Sequence, residues 1–105
     1  MSGQPHVDVP REAIADFCRR WQVTELCLFG SVLRDDFRSD SDVDVLVRFA
    51  PHARHNVFDL MHMEAELTRV FGRKVDLADR HVLEQSPNYI RRRHILESAE
   101  TVYAA

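Results

Sequence analysis

The sequence predicts a small α/β protein, with a short mixed β-sheet of about three strands packed with helices. Three observations lead there. Apolar stripes at helical spacing recur along the chain, short apolar or alternating segments separate them, and Gly or Pro stands at most of the junctions. With 105 residues and 45% apolar content, the chain has material for one modest core, and residues 1–105 read as a single domain with residues 1–9 as a loose leader.

The elements follow in order. Pro10 suits the first turn of a helix and Glu12 suits its positive end, and Ile14, Phe17, Cys18 and Trp21 then fall on one face, so residues 10–21 read as an amphipathic helix. Leu26 to Phe29 is a buried strand that exits at Gly30, and residues 31–41 hold a short helix and a loop. Asp42 to Phe49 is the clearest strand, because Val43, Val45, Val47 and Phe49 alternate onto one face before Pro51 stops it. Asn56 is an N-cap for a second long helix, Leu60, Met63, Leu67 and Val70 form its apolar stripe, and Gly72 ends it. Lys74 to Asp79 is a third strand. After Pro87 a last helix is expected, with Ile95, Ala99 and Val102 at 4-3 spacing as core or as a docking edge flanked by Arg91 to Arg93.

Bulk properties narrow the function. A net charge of −3 is not that of a general nucleic-acid binder. No apolar run approaches the roughly 18 residues of a membrane span, and the first residues lack a secretion-signal pattern, so a cytoplasmic location is expected. Cys18 and Cys27 sit in apolar stretches and read as reduced core residues. His52 and His55 lack partners at zinc-ligand spacing and read as a polar loop, and Met61 and Met63 read as core or interface filler.

The chemistry concentrates between residues 30 and 44. Residues two apart on a strand share a face, about 6.6 Å apart, so Asp42 and Asp44 can lean over one point. Alone, the pair fits either a solvated edge or a divalent metal, which turns the repulsion of two carboxylates into a site. Upstream, Gly30 lets backbone approach a phosphate, and Ser31 adds a hydroxyl donor. Arg34, three residues on, shares a helical face with Ser31 and could hold phosphate oxygens or pair with Asp35 or Asp36.

The order Gly30-Ser31, ten residues, Asp42-x-Asp44 resembles the signature of the nucleotidyltransferase superfamily with the DNA-polymerase-β-like fold. Chance gives this spacing on the order of once per thousand chains of this length. Leu28-Phe29-Gly30-Ser31-Val32-Leu33-Arg34 with Ser41-Asp42-Val43-Asp44-Val45-Leu46-Val47 resembles, more narrowly, the minimal nucleotidyltransferase (MNT) proteins, over roughly residues 10–103. The resemblance implies Mg²⁺ and ATP. Gly30, Ser31 and Arg34 would bind the nucleotide phosphates, Asp42 and Asp44 the metal, and a third carboxylate on a later strand would serve both metal and acceptor. Asp76 is the first candidate for that carboxylate, because Val75 and Leu77 face the other way, and Asp79 is its competitor. The family pairs such domains, as antitoxins, with HEPN-type toxins whose tyrosine accepts AMP. Two other readings stand beside this one: a non-catalytic antitoxin that acts by occlusion, and a nucleotidyltransferase for a small molecule or RNA. Homo- and hetero-oligomers both stay open.

Overall fold

The computed structural model describes residues 9–33 and 42–105. Helix α1 (Arg11–Trp21) starts after Pro10, buries Ile14, Phe17 and Cys18, and ends at Gln22 in a left-handed cap with φ 59°. Strand β1 (Val23–Phe29) begins three residues before the expected Leu26 and leads into a 3₁₀ turn, Gly30–Leu33. Strand β2 (Val43–Phe49) is followed by helix α2 (Val57–Phe71) and strand β3 (Val75–Asp79). A short helix α3 (Arg80–Glu84), helix α4 (Tyr89–Ser98) and strand β4 (Glu100–Ala104) complete the chain.

The caps of α2 are those expected from its sequence. Asp59 N–H donates to Asn56 Oδ1 at 2.8 Å, and Asn56 N–H donates to Asp59 Oδ2 at 3.0 Å, which closes a reciprocal box. Gly72 ends the helix at φ 68°, where a side chain would be strained.

The sheet order is β3-β2-β1-β4. Both neighbours of β1 run antiparallel to it, while β2 and β3 are parallel and joined by α2 as the crossover. The fold is therefore the expected α/β arrangement with a mixed sheet, carrying four strands where the sequence reading counted about three. The additional strand is β4. Its residues Glu-Thr-Val-Tyr-Ala include β-branched and aromatic side chains, and pairing with the outer edge of β1 outweighs the helical spacing of Ile95, Ala99 and Val102. The helix stops at Ser98, Ala99 is extended at ψ 137°, and Val102 joins the core from a strand. Ile95 and Val102 are thus core residues rather than a docking edge.

The main core lies on the sheet face covered by α1 and α2. Phe17 and Ile14 of α1 and Met63 and Leu67 of α2 pack there against Leu26, Leu28, Val43, Val45, Val47 and Val75. On the opposite face, α4 sets Ile95 against Cys27 and Leu46, with Leu83 of α3 and Ala78 of β3 around them. Both cysteines are unpaired and buried. Burial pushes the Cys18 thiol up to about 12 and raises that of Cys27, so both stay protonated as packing groups. Among the described residues no helix is long and apolar enough to cross a membrane.

Candidate active site

Strand register assembles the polar end of the sheet. The valines of β2 point into the main core, so alternation sends Asp44, Leu46 and Arg48 to the opposite face. Leu46 stays dry under α4, whereas Asp44 is half-buried near the start of the strand. Asp42, exposed, precedes the first residue of β2 by one position. Across the sheet, Asp44 is the register partner of Phe29 on β1 and of Asp76 on β3. Neighbouring strands lie about 4.8 Å apart, so Asp44 and Asp76 stand side by side on one face.

Two sets of bonds hold β3 in that register. Val43 N–H donates to Lys74 O at 2.9 Å where β2 and β3 begin. From α2, Thr68 Oγ1 accepts from Val75 N–H at 3.2 Å, and Glu64 Oε2 accepts from Leu77 N–H at 3.1 Å. These side chains satisfy backbone donors on an edge strand, which would otherwise be a template for another chain. Glu64 and Thr68 are one helical turn apart. That spacing is visible in the sequence, but their partners are not.

Asp79 is placed differently. Its register partner is Val47, on the core side, and its Oδ1 accepts from His81 N–H at 2.8 Å as the N-cap of α3. That leaves Asp76 as the β3 carboxylate beside Asp44.

Gly30 has a role that the sequence did not disclose. Its φ is +78°, in the left-handed region, and the Asp44 carboxylate fills the space a Cβ would take. Glycine is needed here for the approach of the Asp44 side chain as well as for the turn. Ser31 follows in the same 3₁₀ turn, at the mouth of β1. Arg34 lies outside the described residues, as does Asp35.

The row Asp42, Asp44 and Asp76 offers only carboxylate oxygens, the donor chemistry of a hard divalent cation. Among the described residues, no three His, Cys, Asp or Glu side chains are gathered as a ready metal cage. Mg²⁺ does not need one, since it uses one or two carboxylates and completes its shell with phosphate and water. The residues present therefore fit Mg²⁺ arriving with a nucleotide.

Residues 10–100 match the nucleotidyltransferase domain family. The chain belongs to that family. It is 30% identical to a solved candidate minimal nucleotidyltransferase, with a TM-score of 0.65 and coverage of 85% of either chain. A candidate protein adenylyltransferase of Methanocaldococcus jannaschii is 34% identical over 55 residues, which are 52% of this chain and 57% of that protein. The fold is also that of a toxin–antitoxin structure with AMP-PNP, at TM-score 0.69 and 17% identity, covering 92% of this chain and 75% of that one. It recurs in the complex of an MNT antitoxin with a tri-AMPylated HEPN toxin of Shewanella oneidensis, at TM-score 0.61 and 18% identity, covering 90% of this chain and 70% of that one. In this nucleotidyltransferase, Asp44 of β2 and Asp76 of β3 are register partners, with Asp42 just before β2.

Proposed function

We propose that this nucleotidyltransferase moves AMP from ATP to a tyrosine hydroxyl of a HEPN-type toxin and acts as its antitoxin. The observation that carries the reading is the Asp44–Asp76 register pair beside Gly30. The AMPylated toxin bound to an MNT antitoxin supports the choice of acceptor, and the AMP-PNP complex supports the choice of nucleotide.

Gly30, Ser31 and Arg34 receive the β- and γ-phosphates. Asp42 and Asp44, with Asp76, would hold Mg²⁺, which would supply charge neutralisation of the phosphates. The acceptor oxygen attacks the α-phosphorus in line, the bond from that phosphorus to the bridging oxygen breaks, and pyrophosphate leaves with the electron pair. Asp76, exposed on the edge strand, would accept the proton of the attacking hydroxyl. Positioning supplies much of the rate in such transfers. A docked protein that presents its own hydroxyl would supply that positioning.

The test is mass spectrometry of a HEPN-type partner co-expressed with the protein. AMP additions on tyrosine are expected with the wild type and absent with Asp42→Asn/Asp44→Asn, whose melting temperature should stay close to that of the wild type. An unmodified partner that both proteins inhibit equally would replace transfer with occlusion. Labelling confined to RNA or a small molecule would move the acceptor elsewhere.

A further inference from the structure

At the other end of β2 lies a second concavity. A pocket of about 500 Å³ opens between the end of the strand, the first turns of α2, and α3. From Asp44 to Phe49 is five residues, roughly 16 Å of strand, so this pocket is separate from the carboxylate row. Phe49 and Leu60 form apolar parts of its wall, while Arg48, Arg54 and His81 bring positive or ionisable groups to it.

Two guanidinium groups, Arg48 and Arg54, and two carboxylates, Asp79 and Glu84, line this wall. Several arginines form ion pairs, Arg20 with Glu66, Arg80 with Glu25, and Arg93 with Glu97 at 2.9 Å, whereas Arg11 and Arg92 donate to backbone carbonyls. Among the described residues, neither Arg48 nor Arg54 forms an ion pair. Arg54 is held only by backbone carbonyls, with its Nη1 donating to Pro51 O at 3.3 Å and to Ala53 O at 3.1 Å. The carboxylates on the wall are already engaged, Asp79 as the cap of α3 and Glu84 at 3.7 Å from Arg80. The wall is also braced. His55 Nε2 meets Trp21 O at 2.8 Å, and its ring packs on Phe49 with centroids 4.7 Å apart.

Beside the pocket, the start of α2 exposes apolar surface. Val57, Phe58 and Met61 are 64%, 68% and 62% exposed. Val57 lies one turn before Leu60 and Met61, so this stripe continues the pocket wall along the helix. Val82 of α3 adds a further exposed side chain next to His81. Such apolar surface marks a contact for another macromolecule, and a small anion in the pocket would leave it uncovered. Two unmatched guanidinium groups in a chain of net charge −3 are too few for an RNA track.

We infer that this surface docks the protein acceptor through a segment that alternates carboxylate and apolar side chains. The carboxylates meet Arg48 and Arg54, and the apolar side chains cover Leu60, Val57 and Met61. The inference rests on the reading of a protein acceptor, and it supplies the docking that an open transfer site needs.

Titration of the isotopically labelled protein, followed by amide NMR, tests it. The probes are a short peptide of alternating glutamate and leucine, its glutamine counterpart, an oligouridylate, and inorganic pyrophosphate. The glutamate peptide should shift Phe49, Arg54, Leu60 and His81. Its affinity should fall at least about tenfold in Arg48→Glu/Arg54→Glu and be largely kept in Arg48→Lys/Arg54→Lys, which also controls for folding. With the co-purified partner, the charge-reversed protein should show a raised KM and an unchanged kcat for AMP transfer. Scattered shifts, equal binding of the glutamine peptide, tighter binding of oligouridylate or pyrophosphate here, or an unchanged KM would each overturn the inference. Peptide binding needs no transfer and should persist in Asp42→Asn/Asp44→Asn. Localised binding by a protein that transfers nothing would overturn the enzymatic reading and leave the docking surface standing.

Discussion

Among the described residues, thirteen buried ones lie between the sheet and the α1/α2 layer, against three, Cys27, Leu46 and Ile95, on the α3/α4 face. Each large apolar side chain taken from water contributes roughly 1.5–3 kcal/mol, so most of the folding energy sits on the first face. The second face gives up burial. Where the first presents Val43, Val45 and Val47, the second presents Asp44 and Asp76 at one end of the strands and Arg48 at the other. The same strand β2 supplies both sets, because its pleat sends alternate residues to opposite sides. A polar row can be kept there only because the other side carries the stability.

That division can be broken by experiment. Phe17, fully buried on the heavy face, should cost about 3–5 kcal/mol as Phe17→Ala, whereas Ile95→Ala, at the shallow second core, should cost nearer ~2 kcal/mol. Urea unfolding measures both, and equal losses would show that the second face bears as much load as the first. Gly30→Ala sharpens the contrast from the polar side. The left-handed backbone adds about 1–2 kcal/mol of strain, and the new Cβ must displace the Asp44 carboxylate. AMP transfer should therefore fall much further than stability does, as read by labelled-ATP transfer beside a melting curve. Transfer at the wild-type rate would remove Asp44 from the chemistry.

The smallest effect should lie at the rim of the heavy face. The Arg20 guanidinium holds the Glu66 carboxyl below its ordinary value, helped by Trp21 Nε1–H, which donates to it at 3.2 Å. A lowered folded value means that the stabilisation is fully present above pH 4.5, the ordinary value, and is lost as the pH falls through the folded value. The melting-temperature advantage of the wild type over Glu66→Gln should therefore shrink below that pH. The side chain of Arg20 is half exposed, so the advantage is small at any pH and smaller still in salt. An advantage that grows on acidification would contradict the assigned pair.

Local rules accounted for much of the chain. Asn56 with Asp59 and Gly72 marked both ends of α2, because caps involve neighbours in sequence. The valine alternation of β2 and the Asp42-x-Asp44 spacing were legible for the same reason, since the strand period alone places those side chains. What the sequence left open depended on contacts between distant residues. Ala99 and Val102 kept helical spacing, yet the unpaired edge of β1 drew residues 100–104 into a strand. Asp76 and Asp79 lie in one short segment, and only the register with β2 puts Asp76 beside Asp44 and turns Asp79 into a cap. The contact of Gly30 with Asp44, and the pocket gathered from β2, α2 and α3, likewise exist only once the sheet has closed. The sequence by itself determined the helical and strand periods, the caps and the spacing of the carboxylates, all set by interactions within a turn or a pleat. Tertiary structure decided register, edge pairing and which charges meet, because those energies arise between segments that are neighbours only in the folded chain.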